Sequence, residues 1–275
     1  RQGRNAGPRR ARPRPVAAGG WMSLDVISLG WGLQSFTLAA MAALGDLGPV
    51  AAAIHADTTH EATDTYTFAQ EWGPWLEKHG VKVITVKAIN ANIIIDRPGG
   101  EIIIPAFTNT AGKGGMLRRQ CTNRWKIQPI RQWLQANRCG QRVEIMMGIS
   151  VDEASRMRDS DVKYITNSYP LIDRRMSRHD CAKWLEAHNL PLPPKSACVF
   201  CPFHDTSAWR TLKISGNGDW EIAVELDKRI RNVRPPHDLF LHPARIPLSD
   251  VDLSNAEDRG QLNLWDNECA GVCGV

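Results

Sequence analysis

The chain of 275 residues has no apolar run approaching the roughly 18 residues of a membrane-spanning helix, which excludes a protein built on such helices. No Gly-Lys-Ser/Thr follows a glycine-rich turn, which excludes a Walker-type phosphate loop. No internal repeat is present, so solenoids and propellers are excluded. Acid is missing from the first 21 residues, which hold six arginines: Arg1, Arg4, Arg9, Arg10, Arg12 and Arg14. Of the 34 basic residues, 28 therefore remain to face all 29 acidic ones. The formal charge of +5 belongs to this tail, and the body from Met22 onward is near neutral, so net charge does not argue for a nucleic-acid partner. Residues 1–21 also lack the apolar core of a secretory signal. They read as a disordered basic tail of upstream or added sequence, with Met22 the natural start. The expected compartment is the cytoplasm, where thiols stay reduced, so the seven cysteines read as metal, cluster or redox groups rather than disulfides.

With 43% hydrophobic and 23% charged residues, the body can bury a full core. Short apolar runs at 24–29, 50–56, 81–87 and 142–148 predict strands, and 35–44, 62–79 and 123–137 predict helices between them, with Gly80 as a C-cap. Two Ile-rich runs around residues 97–100 predict a hairpin, and 111–115 a flexible glycine-rich loop. Strands too apolar to face water, alternating with helices, predict a Rossmann-like α/β/α sandwich with a mainly parallel sheet. From about Tyr169, proline and cysteine become frequent. The expected organisation is a tail over 1–21, an α/β nucleotide-binding domain over 22–168, and a cysteine-containing helical or irregular C-terminal extension over 169–275.

The stretch Ser28-Leu29-Gly30-Trp31-Gly32-Leu33-Gln34-Ser35 joins the first strand to the first helix. Glycines there let backbone N–H groups approach an anion at a helix N-terminus, although a plain turn uses glycine equally well. Cys198-Val199-Phe200-Cys201-Pro202 is the sharpest local signal. Two thiolates at i and i+3 grip an iron–sulfur cluster or a zinc ion, and a redox pair has the same spacing. Cys139 reads as a small buried hydrophobe. His179, His188 and His204 read as surface helix positions, and the pairs Trp72/Trp75 and Trp125/Trp133 as core.

Four further segments carry a resemblance. Ser28–Ser35 resembles the pyrophosphate loop of the adenine nucleotide α-hydrolase superfamily, Ser-Gly-Gly-x-Asp-Ser, with Gly30, Trp31 and Gln34 standing where Ser, Gly and Asp stand. His55–Tyr66, Cys121–Ile130 and Gly148–Arg158 are similar, in order, to motifs of the phosphoadenosine phosphosulfate reductase family within that superfamily. The resemblance implies an adenine nucleotide, ATP or adenylyl sulfate, held by Ser28, Gly30, Trp31, Gly32, Gln34 and Ser35. Trp31 would stack on adenine or close the pocket. Asp57 would hold ribose hydroxyls or a phosphate-bound metal such as Mg, and its rival role is a helix N-cap. Arg124, Lys126, Arg156 and Arg158 are its phosphate or sulfate ligands, with Lys126 also counted as catalytic.

The resemblance further implies a 4Fe-4S cluster on Cys121, Cys198 and Cys201. Thr122 stands in place of the family's fourth cysteine, leaving Cys181 as fourth ligand or an open iron site as in related tRNA thiolation enzymes. Zinc is the alternative. Glu268-Cys269 resembles the family's C-terminal nucleophile motif and makes Cys269 a catalytic candidate, while Cys273 adds a second thiol near the end. Two mechanisms stay open. In one, ATP adenylates an acceptor, nucleic acid among them, and sulfur from a donor such as a cysteine desulfurase displaces AMP. In the other, Cys269 attacks an adenylyl sulfate and thioredoxin restores the thiol. A non-catalytic nucleotide- or nucleic-acid-binding module with structural zinc is the reading from another class.

Overall fold

The computed structural model describes residues 23–95, 100–110, 112–255 and 258. Its strands are β1 (Leu24–Ser28), β2 (Ala52–Asp57), β3 (Val83–Lys87), β4 (Ile94–Ile95), β5 (Glu101–Ile102), β6 (Phe107–Thr110), β7 (Lys113–Met116), β8 (Val143–Met147), β9 (Ile165–Ser168) and β10 (Asp238–Phe240). Its α-helices are α1 (Leu33–Ala43), α2 (Thr63–Lys78), α3 (Gln128–Asn137), α4 (Pro170–Asp173), α5 (Arg178–Ala187), α6 (Thr206–Ser215) and α7 (Asp219–Ile230). A π-helical segment, Thr122–Ile127, leads into α3.

Five strands form one parallel sheet in the order β3-β2-β1-β8-β9. Successive side chains leave a strand on opposite faces, and β1 shows the consequence. Ile27 joins Phe36, Phe68 and Leu185 in a core beneath α1, α2 and α5, while Val26 joins Leu134, Val143 and Ile165 beneath α3. The three-layer sandwich follows. Gly80, at φ +84, occupies the left-handed C-terminal position of α2.

A third core takes none of its residues from the five-stranded sheet. Ile102–Ile104, Trp125, Phe200, Trp209, Leu226 and Leu241 pack together, so the C-terminal helices close over the 102–106 segment and the π-helix. The C-terminal part is therefore shared: α5 completes the sandwich against α1, and 198–253 builds this second body of side chains.

Several local expectations change. Residues 113–116 are a strand, β7, paired antiparallel with β6, because backbone pairing holds Gly114 and Gly115 where their sequence reads as loop. The expected hairpin around 97–100 is present as the β4–β5 pair, with residues 96–99 outside the described set. Cys139 is exposed at φ +47 in the turn after α3, not a buried hydrophobe. His204 is buried, its ring edge-on to Trp209, rather than on a helix surface. No helix among the described residues is long and apolar enough to cross a membrane.

Candidate functional site

In an open parallel sheet, ligands bind beyond the C-terminal strand ends, where the strand order reverses. Here that point lies between β1 and β8. A cavity of about 370 Å³ opens there, lined by Ser28, Gly30, Gly32, Gln34 and Ser35 from the loop after β1 and by Gly148, Ile149 and Glu153 from the loop after β8. Ser35 closes the loop: its Oγ accepts from the Gly30 N–H and donates to the Gly32 carbonyl, both at 3.1 Å. No side chain caps the first turn of α1, so its N–H groups remain available to an anion. Gly148 makes the close approach possible, since a Cβ there would sit 2.7 Å from the Ser35 nitrogen.

Trp31 does not line this cavity. Its φ is +58, the left-handed region that glycine adopts without cost, and its ring is 2% exposed. The indole packs near Phe36, Phe68 and His55, with centroids 6.2–6.4 Å apart. Burial of the ring holds a backbone conformation that the residue itself disfavours.

Asp57 is likewise engaged elsewhere. Its Oδ1 accepts from the Tyr66 hydroxyl and the Thr59 N–H, both at 2.7 Å, and Lys87 pairs with Oδ2 at 3.0 Å. Burial disfavours its charge, but these donors outweigh that and hold its pKa below the ordinary aspartate value; burial and the same carboxylate push the Tyr66 phenol upward. The carboxylate locks the turn between β2 and α2 and does not line the cavity. Arg124 leans on Glu101 at 3.5 Å, and the Arg158 guanidinium donates to the Ser155 and Met157 carbonyls, so neither reaches the cavity. Arg156 does line it, paired with Glu153 at 2.6 Å.

A second cavity, of about 110 Å³, collects three of the predicted thiols: Cys121, Cys198 and Cys201. Cys121 enters the π-helix after its N–H bonds the Ile103 carbonyl at 3.0 Å. Residues 60–62 pair with 197–199, through Val199 N–H to His60 O at 2.9 Å and Ala62 N–H to Ala197 O at 3.1 Å. This short ladder carries Cys198 to the end of β2. A tight turn, Cys201 N–H to Cys198 O at 3.0 Å, presents both thiols, and His204 Nε2 meets the same Cys198 carbonyl at 3.0 Å. Burial of His204 lowers its pKa and favours the neutral ring.

Burial pushes the Cys198 thiol up to about 12, with the Glu61 carboxylate adding to it, and raises Cys201 as well. Such thiols are inert as free nucleophiles, and a bound cationic group would displace their protons. Lys126 and Arg119 supply positive charge around them. The Lys126 ammonium is 3.0 Å from Glu61 Oε1, which also accepts from Thr58 at 3.1 Å. Burial works against the lysine's charge, and the Glu61 carboxylate overrides it, leaving the pKa above the ordinary lysine value.

Cys181 is not brought to this cavity. It is fully buried on α5 against α1, in the core of the sandwich, where burial raises its pKa to about 11. Cys269 and Cys273 lie outside the described residues. A thiolate-bound group fits the three-cysteine cavity by donor chemistry. Among the described residues, no three His, Cys, Asp or Glu form a set placed to hold a single metal ion.

The two cavities touch. Lys126 and Ser196 line both. Ser196 also donates to the Gly30 carbonyl, tying the segment before Cys198 to the loop after β1. Sequence reasoning missed Ser196, Lys195, Arg119 and Arg178, all of which line one cavity or the other. Lys195 and Ser196 lie three and two residues before Cys198, and that closeness was the available signal.

No protein-family model matches the sequence, and no curated protein matches it. Among solved structures, the chain is similar to phosphoadenylyl-sulfate reductase from Candida auris in its phosphate complex. The TM-score is 0.42 at 11% identity, over 62% of this chain and 76% of that one.

Proposed function

We propose that this chain is an enzyme that binds an adenine nucleotide across the β1–β8 crevice and carries out sulfur chemistry at Cys121, Cys198 and Cys201. The observation that carries the reading is the pair of residues common to both cavities, Lys126 and Ser196. A nucleotide whose phosphates rest on the α1 N-terminus places its phosphorus atoms toward Lys126, and the thiols lie on that lysine's other side. Lys126 carries a positive charge held by buried Glu61, suited to stabilising charge that builds on a phosphoryl oxygen.

The reaction that uses both cavities is ATP-dependent adenylation followed by sulfur transfer. An acceptor oxygen attacks the α-phosphorus, pyrophosphate leaves, and sulfur then displaces AMP. An iron–sulfur group held by the three thiols supplies nucleophilic sulfur when bound. Nucleic acid is among the acceptors, and a cysteine desulfurase persulfide, together with a two-electron reductant such as a dithiol, is the class of donor that restores the sulfide-level sulfur.

Anaerobically purified protein should be brown and should release pyrophosphate from ATP in the presence of a competent acceptor. A brown protein that releases sulfite from adenylyl sulfate, and no pyrophosphate from ATP, would replace this reaction with reductive cleavage of a sulfonucleotide. A colourless protein without iron, inert toward both nucleotides, would overturn the reading.

A further inference from the structure

Four cationic side chains line the cavity at the β1–β8 crevice: Lys126, Arg156, Arg178 and Lys195. Three are matched by a carboxylate. Lys126 pairs with Glu61 at 3.0 Å, Arg156 with Glu153 at 2.6 Å and Lys195 with Asp205 at 3.0 Å. The guanidinium of Arg178 has no ion-pair partner among the described residues. Its recorded contact is neutral, from Nη1 to Gln34 Oε1 at 3.1 Å.

We propose that Arg178 grips the phosphates in this cavity, and that glutamine at position 34 is what leaves its charge free to do so. The inference deepens the nucleotide reading above and rests on it. Gln34 is 7% exposed, and its amide faces two opposite demands. The Nε2 group donates to Glu153 Oε2 at 2.9 Å and lies 3.4 Å from Ser150 Oγ, while Oε1 accepts from Arg178. A carboxylate accepts only and a guanidinium donates only, so this orientation is the one that satisfies both neighbours. An aspartate at position 34, the residue of the resembled loop pattern, would change both contacts. It would pair with Arg178 and cancel the charge offered to a ligand, and it would set like charge against Glu153.

Arg178 is also well held for the task. It opens α5, with its backbone N–H donating to the Asp152 carboxylate. The capping box of Ser177 and Asp180 fixes the helix start, with Asp180 N–H to Ser177 Oγ at 3.1 Å and Ser177 N–H to Asp180 Oδ2 at 2.9 Å. The side chain stands exposed at the cavity rim, so its removal disturbs no core. A planar, permanently charged fork suits the paired oxygens of a polyphosphate.

The test is equilibrium binding of ATP and of inorganic triphosphate to the full chain and to R178A, R178K and Q34D. R178A should weaken both ligands by roughly 10- to 100-fold, the range for losing a charge-assisted hydrogen bond. R178K should fall between R178A and the wild type. Q34D should weaken both ligands although it restores the resembled pattern, and the melting temperature of ligand-free R178A should not move. R178A binding both ligands as the wild type does, or Q34D binding them more tightly, overturns the proposal. Binding of triphosphate that R178A loses, with no binding of ATP, leaves Arg178 standing and sinks the nucleotide reading. A wild type that binds neither ligand sinks both.

Discussion

Gly148→Ala tests the geometry of the crevice directly. The added Cβ would meet the Ser35 nitrogen at 2.7 Å, its Cα at 2.8 Å and the Gln34 carbonyl carbon at 3.0 Å. All three atoms are backbone, so no side chain can swing aside. Ordinary contact begins at 3.4 Å, so the end of β8 and the first turn of α1 must separate by roughly 0.7 Å. Overpacking of this kind costs about 1–3 kcal/mol. At about 2–4 °C per kcal/mol for a chain of this size, the melting temperature should fall by about 2–12 °C. The same movement tilts the α1 N-terminus away from the phosphates of the proposed nucleotide, so ATP affinity should drop further than stability explains, by up to about 100-fold. Thermal melts and ATP titrations read the two effects separately. Gly48→Ala is the control: a Cβ there meets nothing within 4 Å, and its stability should stay within about 0.5 kcal/mol of wild type. A Gly148→Ala protein that melts within a degree of wild type and binds ATP equally well would refute the argument that this glycine admits α1 to the sheet edge.

Trp31→Gly keeps the left-handed backbone and removes a ring that is 2% exposed, so denaturant titration should show a loss of about 3–5 kcal/mol. Trp31→Phe should retain ATP affinity, because the ring packs in the core; a large affinity loss at unchanged stability would restore a stacking role. Asp57→Asn should cost about 1–3 kcal/mol at neutral pH by weakening contacts with Tyr66, Thr59 and Lys87. The Asp57 pKa is depressed in the fold, so its contribution is present above the ordinary value near 4 and lost as pH falls through the lower folded value. The variant's stability should therefore decline less steeply in acid than the wild type's, and parallel acid titrations would contradict this. On the proposed cluster, Cys198→Ser should strip iron and sulfide while leaving the fold, whereas Cys181→Ala should keep both and lose about 1 kcal/mol. Loss of iron from the Cys181 variant would place that thiol at the metal after all.

The strands legible in the sequence are the central β1, β2 and β8 and, at one edge, β3, whose Val-Ile-Thr-Val run is apolar enough to show. β2 is buried at all six positions, and the apolar run over 50–54 that leads into it announces it. β9, Ile-Thr-Asn-Ser, lies at the sheet edge with one buried residue, and β7, Lys-Gly-Gly-Met, has none; neither carries an apolar run, and each is held by backbone pairing with the strand before it. The same division runs through the site. Cys198 and Cys201 declare themselves by spacing. Cys181 became a candidate as the cysteine left over where Thr122 replaces the family's fourth, while a signal for its place in the core was present. Leu185 lies four residues on, both are fully buried, and that interval marks the inner face of a helix.

Charge is less legible still. Lys126, Arg156, Arg178 and Lys195 are equivalent as letters, and what separates them is which ones meet a carboxylate. For Arg156 the partner is three residues away, within reach of local reasoning; for Lys126 it is 65 residues away, and Arg178 meets its glutamine across 144. Electrostatic function in this crevice is therefore a property of tertiary pairing. A substitution of Gln34 can change it without altering any residue that carries the charge.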